Sequence, residues 1–393
     1  MSIQTKAAET APIVVVGASA AGLLAAYLLA KGGRAVRLCE KNEQLGSPAR
    51  TLIVTRAIDN LLPFSPSPAV TNQTRYLRLF SPGRSLTLEL GTSDRIVERE
   101  RLVQMLGREA RRAGAELLLG CRFVHLEPDR DGALVHLEHA SGQRLQLRTP
   151  TIIAAHGVSG ELSSPLGHNH SKTAFVLQAV VALPSAVPED TTQVWFDPAS
   201  TRYFYWLIPD SQERGVVGLI ADDEGRARLS LQRFLAMHNL EPSSFQAAPV
   251  PLYCGSSRPQ RLAGAQIFWV GDAAAQVKAT TMGGLVTGLQ GAEALSRAIL
   301  TGDQVRASCI LNGRLALHLL VRKLLNAFAA DDYDRLLDLV DGKVRSVLER
   351  RTRDELLPML LSLVAAQPRF VELVMRSQPW RECLRSHWWS GSN

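Results

Sequence analysis

A chain of 393 residues with 46% hydrophobic and 21% charged residues can bury a large core and divide into two or three domains, as a soluble globular protein does. Its net charge of +7 comes from scattered arginines, without the basic and aromatic runs of a nucleic-acid groove, so no nucleic-acid partner is expected. Five cysteines, odd in number and with no C-x-x-C pair, fit a reducing cytoplasm.

Residues 1–11 are polar and expected to fray. Ala11 to Ala30 is uncharged throughout and could pass for a membrane span or a signal peptide, but Gly17, Ser19 and Gly22 interrupt it. The stretch IVVVGASAAGLLAAYLLAKGGRAVRLCEK predicts a buried strand, a glycine turn, an apolar helix and a second strand ending in Glu40. In this βαβ unit, Gly17 and Gly22 permit the tight turn and the close packing of helix on sheet, and the helix N-terminus faces a pyrophosphate. Ser19 replaces the middle glycine of the usual pattern. Glu40 is placed to accept hydrogen bonds from an adenosine ribose.

PFSPSP (Pro63 to Pro68) breaks any regular element, and VERERLVQMLGREARRAGAELL predicts a helix with Leu102, Leu106 and Ala110 on one face. From Cys121 to His156, three alternating segments separated by PDRDG and ASGQ predict a small meander with His125, His136 and His139 at its surface. Residues 172–254 read as β-rich. Within them FYWLIP puts Phe204, Trp206 and Ile208 on one face of a strand and Tyr203, Tyr205 and Leu207 on the other.

IFWVGDAAAQ predicts a strand ending in Gly271-Asp272, then a small-residue helix. The Asp272 carboxylate is free to bind a polyol. The turn Thr280 to Gly284 opens a further helix whose N-terminus can stabilise negative charge on a reduced flavin ring, with Gly283, Gly284, Gly288 and Gly291 allowing close approach to a planar ring. Lys278 reads equally as a phosphate or flavin contact and as a solvated loop lysine. The last 90 or so residues read as helical. His168 to His170 lacks a carboxylate or cysteine to complete a ligand set, so no metal site is expected, and Cys254 reads as a structural thiol. Trp380, Trp388 and Trp389 with Arg381, Arg385 and His387 form a tail suited to a lipid interface or to packing on the C-terminal helices.

On these motifs the chain resembles the FAD-dependent geranylgeranyl reductase family, within the hydroxylase-like flavoprotein group, over nearly its whole length. The resemblance implies an α/β fold: a Rossmann-like FAD-binding domain (residues 1–62, 92–171 and 255–300), a β-rich substrate domain (63–91 and 172–254) and a helical C-terminal region (301–393). It implies FAD contacts at Gly17, Ser19, Ala20, Ala21, Gly22, Glu40, Lys41, Arg50, Arg99, Val124, Gly271, Asp272, Gly283, Gly284 and Leu285. Phe204, Trp206 and Ile208 would line the substrate cavity, and Thr51 and Trp206 are the catalytic candidates, Thr51 as a proton relay. NAD(P)H is the implied electron donor.

Thr51 stands where many members carry a cysteine linked to reduction of isoprenoid double bonds, so the resemblance does not carry prenyl-lipid reduction to this chain. Ala279 replaces a common proline, Met282 a common glycine and His156 a common aspartate. Flavin halogenases resemble the chain at FYWLIP, but they relay halogen through a lysine, and no lysine occurs between Lys41 and Lys172. The expected function is therefore reduction, or in reverse desaturation, of a C=C bond in a small apolar or carrier-bound substrate by a cytoplasmic enzyme with peripheral membrane contact. Aromatic monooxygenation, halogenation and a flavoprotein without turnover are the alternatives.

Overall fold

The uncharged N-terminal stretch folds as strand and helix. β1 (Ile13–Val16) is buried at every residue, and α1 (Ala20–Lys31) buries Leu23, Leu24 and Leu29. The computed structural model describes residues 11–158, 162, 172–253, 255, 259–262, 264–302 and 306–376. Residues 1–10, His168 to His170, Cys254, Trp380, Trp388 and Trp389 lie outside the described residues.

β1 pairs in parallel with β2 (Val36–Glu40) on one side and with β10 (Thr151–Ala154) on the other. β6 (Glu116–Leu119) extends the sheet beyond β2, and β17 (Ala265–Trp269) and β16 (Gln260–Leu262) extend it beyond β10. Only β16 runs antiparallel to its neighbour. α1, α3 (Arg99–Arg112) and α5 (Leu285–Thr301) cover one face, and α3 buries Leu102, Leu106 and Ala110 as its periodicity predicts. On the other face lies the expected meander, β7 (Cys121–Asp129), β8 (Gly132–His139) and β9 (Arg144–Thr149).

An eight-stranded sheet runs in the order β15 (Pro242–Pro251), β11 (Thr173–Ala182), β14 (Arg214–Ala221), β13 (Tyr205–Pro209) and β12 (Thr191–Trp195). It continues through β4 (Val70–Phe80), β5 (Ser85–Glu98) and β3 (Thr51–Val54), so its strands extend beyond residues 63–91 and 172–254. α4 (Glu224–Met237) packs on one face of it. This helix was not expected in the β-rich stretch, although Asp223 signals it: its carboxylate accepts from the Arg226 amide at 2.9 Å as an N-cap.

Two further segments depart from expectation. A 3₁₀ turn at Ser67–Ala69 reaches into the proline-rich break, which follows the short α2 (Ile58–Leu61). The small-residue helix after Gly271-Asp272 is only a 3₁₀ turn, Gly271–Ala274, closed by Ala275 in the left-handed conformation. The described part of the C-terminal region is helical as expected, with α6 (Arg306–Leu325), α7 (Ala330–Asp338), α8 (Gly342–Arg350), α9 (Leu356–Ala366) and α10 (Arg369–Arg376). Among the described residues no single helix is long and apolar enough to cross a membrane.

Candidate functional site

The C-terminal ends of β1, β2 and β10 meet at the glycine turn. Gly17 has φ +104°, and a Cβ there would lie 2.6 Å from the Ala155 carbonyl oxygen, so both backbone and packing demand glycine. Ser19 caps α1, its Oγ accepting from the Gly22 amide at 3.1 Å. The first-turn amides at Ala20 and Ala21 lack partners inside the helix and, with the helix dipole, favour an anion. Glu40 Oε2 accepts from the Ala18 amide at 2.8 Å and Oε1 from Asn42 at 3.0 Å, which leaves each oxygen a further lone pair. Lys41 beside it is exposed.

Gly271 and Asp272 follow β17 on the same edge of the sheet. The Gly271 amide donates to Gln276 Oε1 at 2.7 Å, and a Cβ on Gly291 would collide with that side chain. Gly288 faces the Gly271 Cα. These two glycines pack α5 onto the turn and do not serve the ring approach expected of them. Gly284 leaves space for Asp272, whose Oδ1 would lie 2.9 Å from a Cβ there.

Burial raises the Asp272 carboxyl above its usual range, against the opposing charges of Arg50 and Arg99. Arg99 donates to the Gly46 and Pro48 carbonyls at 2.8 and 3.0 Å and feels both Asp272 and Glu40. Arg50 Nε is buried with no hydrogen-bond partner. An unspent buried donor, a second guanidinium and a helix N-terminus suit an anionic group rich in acceptors, and Glu40 and Asp272 suit hydroxyl groups on either side of it. These residues fit a dinucleotide such as FAD.

Val124, the remaining expected contact, is 44% exposed. It sits where the β7–β8 register slips between Phe123 and His125, which frees its backbone from the ladder.

Lys278 is neither solvated nor free to take a cofactor phosphate. Its Nζ lies 2.5 Å from Asp354 Oδ1, and Thr55 Oγ1 donates to the other Asp354 oxygen. Its carbonyl accepts from the amides of Thr281 and Met282, and its own amide donates to Gly283, which closes the turn before Leu285 begins α5. Thr280 Oγ1 is 2.7 Å from His318 Nδ1 on α6. Burial, then the charge of Lys278, lowers the His318 pKa to about 4. Nearby, Asp94 pairs with Arg353 at 2.9 Å. Sequence reasoning missed Asp94, His318, Arg353 and Asp354 because distant segments supply them and no motif marks them.

In FYWLIP, Phe204, Trp206 and Ile208 cluster with Met282 of the 278–284 turn and with Ile96. Tyr205 and Leu207 face α4. Tyr203 joins the Trp206 cluster, against expectation, because β13 begins only at Tyr205 and strand alternation does not reach it. Gly218 on β14 makes room for the indole, since a Cβ would lie 2.5 Å from Trp206 Cζ2 and 2.6 Å from Gln178 Cβ. Gln178 Nε2 also donates to the Thr51 carbonyl at 3.1 Å, so Thr51 and Trp206 flank one buried glutamine. A cavity of about 730 Å³ on the Tyr205 face, lined by Phe80, Trp195, Phe234 and His238, is separate from this cluster.

Residues 15–72 match the family described as NAD(P)-binding Rossmann-like domain. The chain is 26% identical over 290 residues to a digeranylgeranylglycerophospholipid reductase of Methanococcus vannielii, covering 70% of this chain and 73% of the relative. Among solved structures it is similar to a geranylgeranyl bacteriochlorophyll reductase-like protein from Thermoplasma acidophilum, with TM-score 0.78 and 20% identity over 93% of this chain and 98% of the other. A p-nitrophenol 4-monooxygenase from Pseudomonas putida shares the fold at TM-score 0.63 and 16% identity, covering 93% of this chain and 99% of that one.

Proposed function

The chain belongs to the geranylgeranyl reductase family, and from that premise we propose an FAD-dependent oxidoreductase that reduces, or in reverse desaturates, a C=C bond in an apolar or carrier-bound substrate. The observation that carries the reading is the convergence of the Glu40, Arg99, Arg50 and Asp272 charges beside the N-terminus of α1. When bound, FAD supplies hydride transfer at its N5. The chain orients the reactants, excludes water and, through the N-terminus of α5, favours negative charge beside Gly283 and Gly284.

In this reading the six-stranded sheet and meander form the cofactor domain and the eight-stranded sheet forms the substrate domain. Phe204, Trp206 and Ile208 give the cavity an apolar wall, and Thr51 relays a proton. NAD(P)H supplies the electrons. Leu357, Leu361 and Val364 expose one apolar stripe of α9, which supports peripheral contact of a cytoplasmic protein with a lipid surface. Co-flotation with anionic vesicles checks that contact.

Anaerobic reduction followed by mass spectrometry across prenyl lipids and carrier-bound acyl substrates tests the activity. A gain of two hydrogens supports the reading. Oxygen-dependent hydroxylation would place the chain with the monooxygenases instead, and a flavin that neither NADPH nor dithionite reduces would remove turnover altogether.

A further inference from the structure

We propose that His125, Glu127 and His136 form a divalent transition-metal site on the outer face of the meander, with zinc as the best match. His125 on β7 and His136 on β8 stand directly opposite in the antiparallel register, and Glu127 follows His125 on the same face. The imidazole rings stack at 3.9 Å with 14° between their planes, so a shared ion requires the exposed His125 ring to turn about its Cβ–Cγ bond until both Nε2 lone pairs converge. His125 Nε2 is 3.1 Å from Glu127 Oε1, and His136 Nε2 is 3.2 Å from Glu127 Oε2.

Ligand atoms on a tetrahedral zinc, each bonded at about 2.0–2.1 Å, stand about 3.3 Å apart. Each imidazole nitrogen stands near that edge length from one of the two Glu127 oxygens, and one ligand atom from each residue lies within 4.8 Å of the others, so a small turn of the carboxylate brings a single oxygen to both. An ordinary ion-paired surface cluster gives similar distances. The buried His136 Nε2 argues against it, because this atom makes no hydrogen bond despite its nearness to the carboxylate.

Gln146 on β9 supplies the supporting contact, its side-chain amide lying 3.4 Å from His136 Nδ1. With the amide turned so that its oxygen accepts the Nδ1 proton, the Nε2 lone pair faces the carboxylate. Two imidazoles and one carboxylate leave a fourth position for water and suit zinc, copper or nickel better than calcium or magnesium. A bound ion would clamp β7 to β8 next to the Val124 bulge.

The test uses the full chain with its cofactor, stripped by chelator and titrated with zinc by calorimetry. The expected result is a zinc site that His136→Ala abolishes, that Glu127→Gln weakens at least about tenfold and that Gln146→Leu weakens about 10- to 100-fold. Zinc should raise the melting temperature of the unmodified protein and not that of His136→Ala, which controls for folding. Absence of zinc binding, or equal stoichiometry and affinity in His136→Ala, overturns the proposal.

Discussion

Lys278 Nζ and Asp354 Oδ1 lie 2.5 Å apart with side chains 8% and 9% exposed, joining the turn that opens α5 to the residues just before α9. Burial lowers the Lys278 pKa, and the Asp354 charge opposes that shift. Burial alone would raise the Asp354 carboxyl, but the charge and hydrogen bond of Lys278, with the Thr55 hydrogen bond and the Arg353 charge, together hold it low. Removing one partner strands a buried charge, so Asp354→Ala should cost about 3–5 kcal/mol in urea unfolding. The double variant Lys278→Met with Asp354→Leu should recover most of that loss, because no charge is left unpaired. If the double variant is as unstable as the sum of the single ones, the pair is not coupled.

His318 adds a pH dependence whose sign is fixed by its low pKa. The unfolded imidazole takes a proton near its ordinary value of 6.5, whereas the folded one waits until about 4. Over that window the unfolded state binds more protons, so stability falls as pH drops from 6.5 to 4 and the contribution is flat below. The full effect is about 3 kcal/mol. Asp354 also loses stability on acidification, so the test is the difference between the unmodified protein and His318→Asn. Asparagine keeps a polar partner for Thr280 and removes the titration. Parallel stability curves from pH 7 to 4 would reject the assignment.

The features legible in the sequence were those enforced locally. Gly17 is needed by its own φ and by the Ala155 carbonyl, and Ser19 caps the helix it begins, so strand, turn and helix could be read in register. α4 was missed because its capping signal at Asp223 lies within a run of strands. Lys278 could not be assigned a partner at all, since Asp354 reaches it only once the C-terminal helices have packed. The His125 and His136 pairing likewise depends on the bulge at Val124, which shifts the register by one residue and brings the two rings to one face.

Met282 has φ +52°, a conformation that favours glycine, yet its side chain is buried against Trp206, Ile208 and Ile96. Met282→Gly should relieve about 1–2 kcal/mol of backbone strain and lose about 2–5 kcal/mol of packing, a net destabilisation of up to about 4 kcal/mol. The emptied space adjoins Trp206, so bulkier substrates should be accepted. Thermal unfolding and substrate-dependent flavin reoxidation measure the two effects separately. A variant more stable than the original would show that the side chain contributes no packing.

Glu40 already serves two backbone amides, Ala18 and Asn42, before any ribose is considered. Glu40→Ala should therefore weaken FAD binding by about 1–3 kcal/mol, from the lost ribose contact and a loosened glycine turn. Flavin fluorescence during reconstitution of the apoprotein measures it. Unchanged affinity would assign the ribose contact to other residues.

Trp206 and Leu207 are neighbours on opposite faces of β13, and their truncations should fail differently. Leu207 packs against Leu231, Phe234 and Leu235 of the α4 layer and its strand neighbours, so Leu207→Ala leaves a cavity costing about 2–5 kcal/mol, with little change in selectivity. Trp206 faces Met282, and its Nε1 is buried without a hydrogen-bond partner, so the indole gains nothing there from its polar end. Trp206→Ala should keep the fold and bound FAD while changing substrate preference or admitting oxygen to the reduced cofactor. All five residues of β13 are buried, and the competing outcome is a strand that is core on both faces. Melting temperature, flavin content and peroxide release for the two variants separate these cases. If Trp206→Ala loses as much stability as Leu207→Ala and its peroxide release does not change, the Trp206 face is structural and the cavity wall must be sought elsewhere.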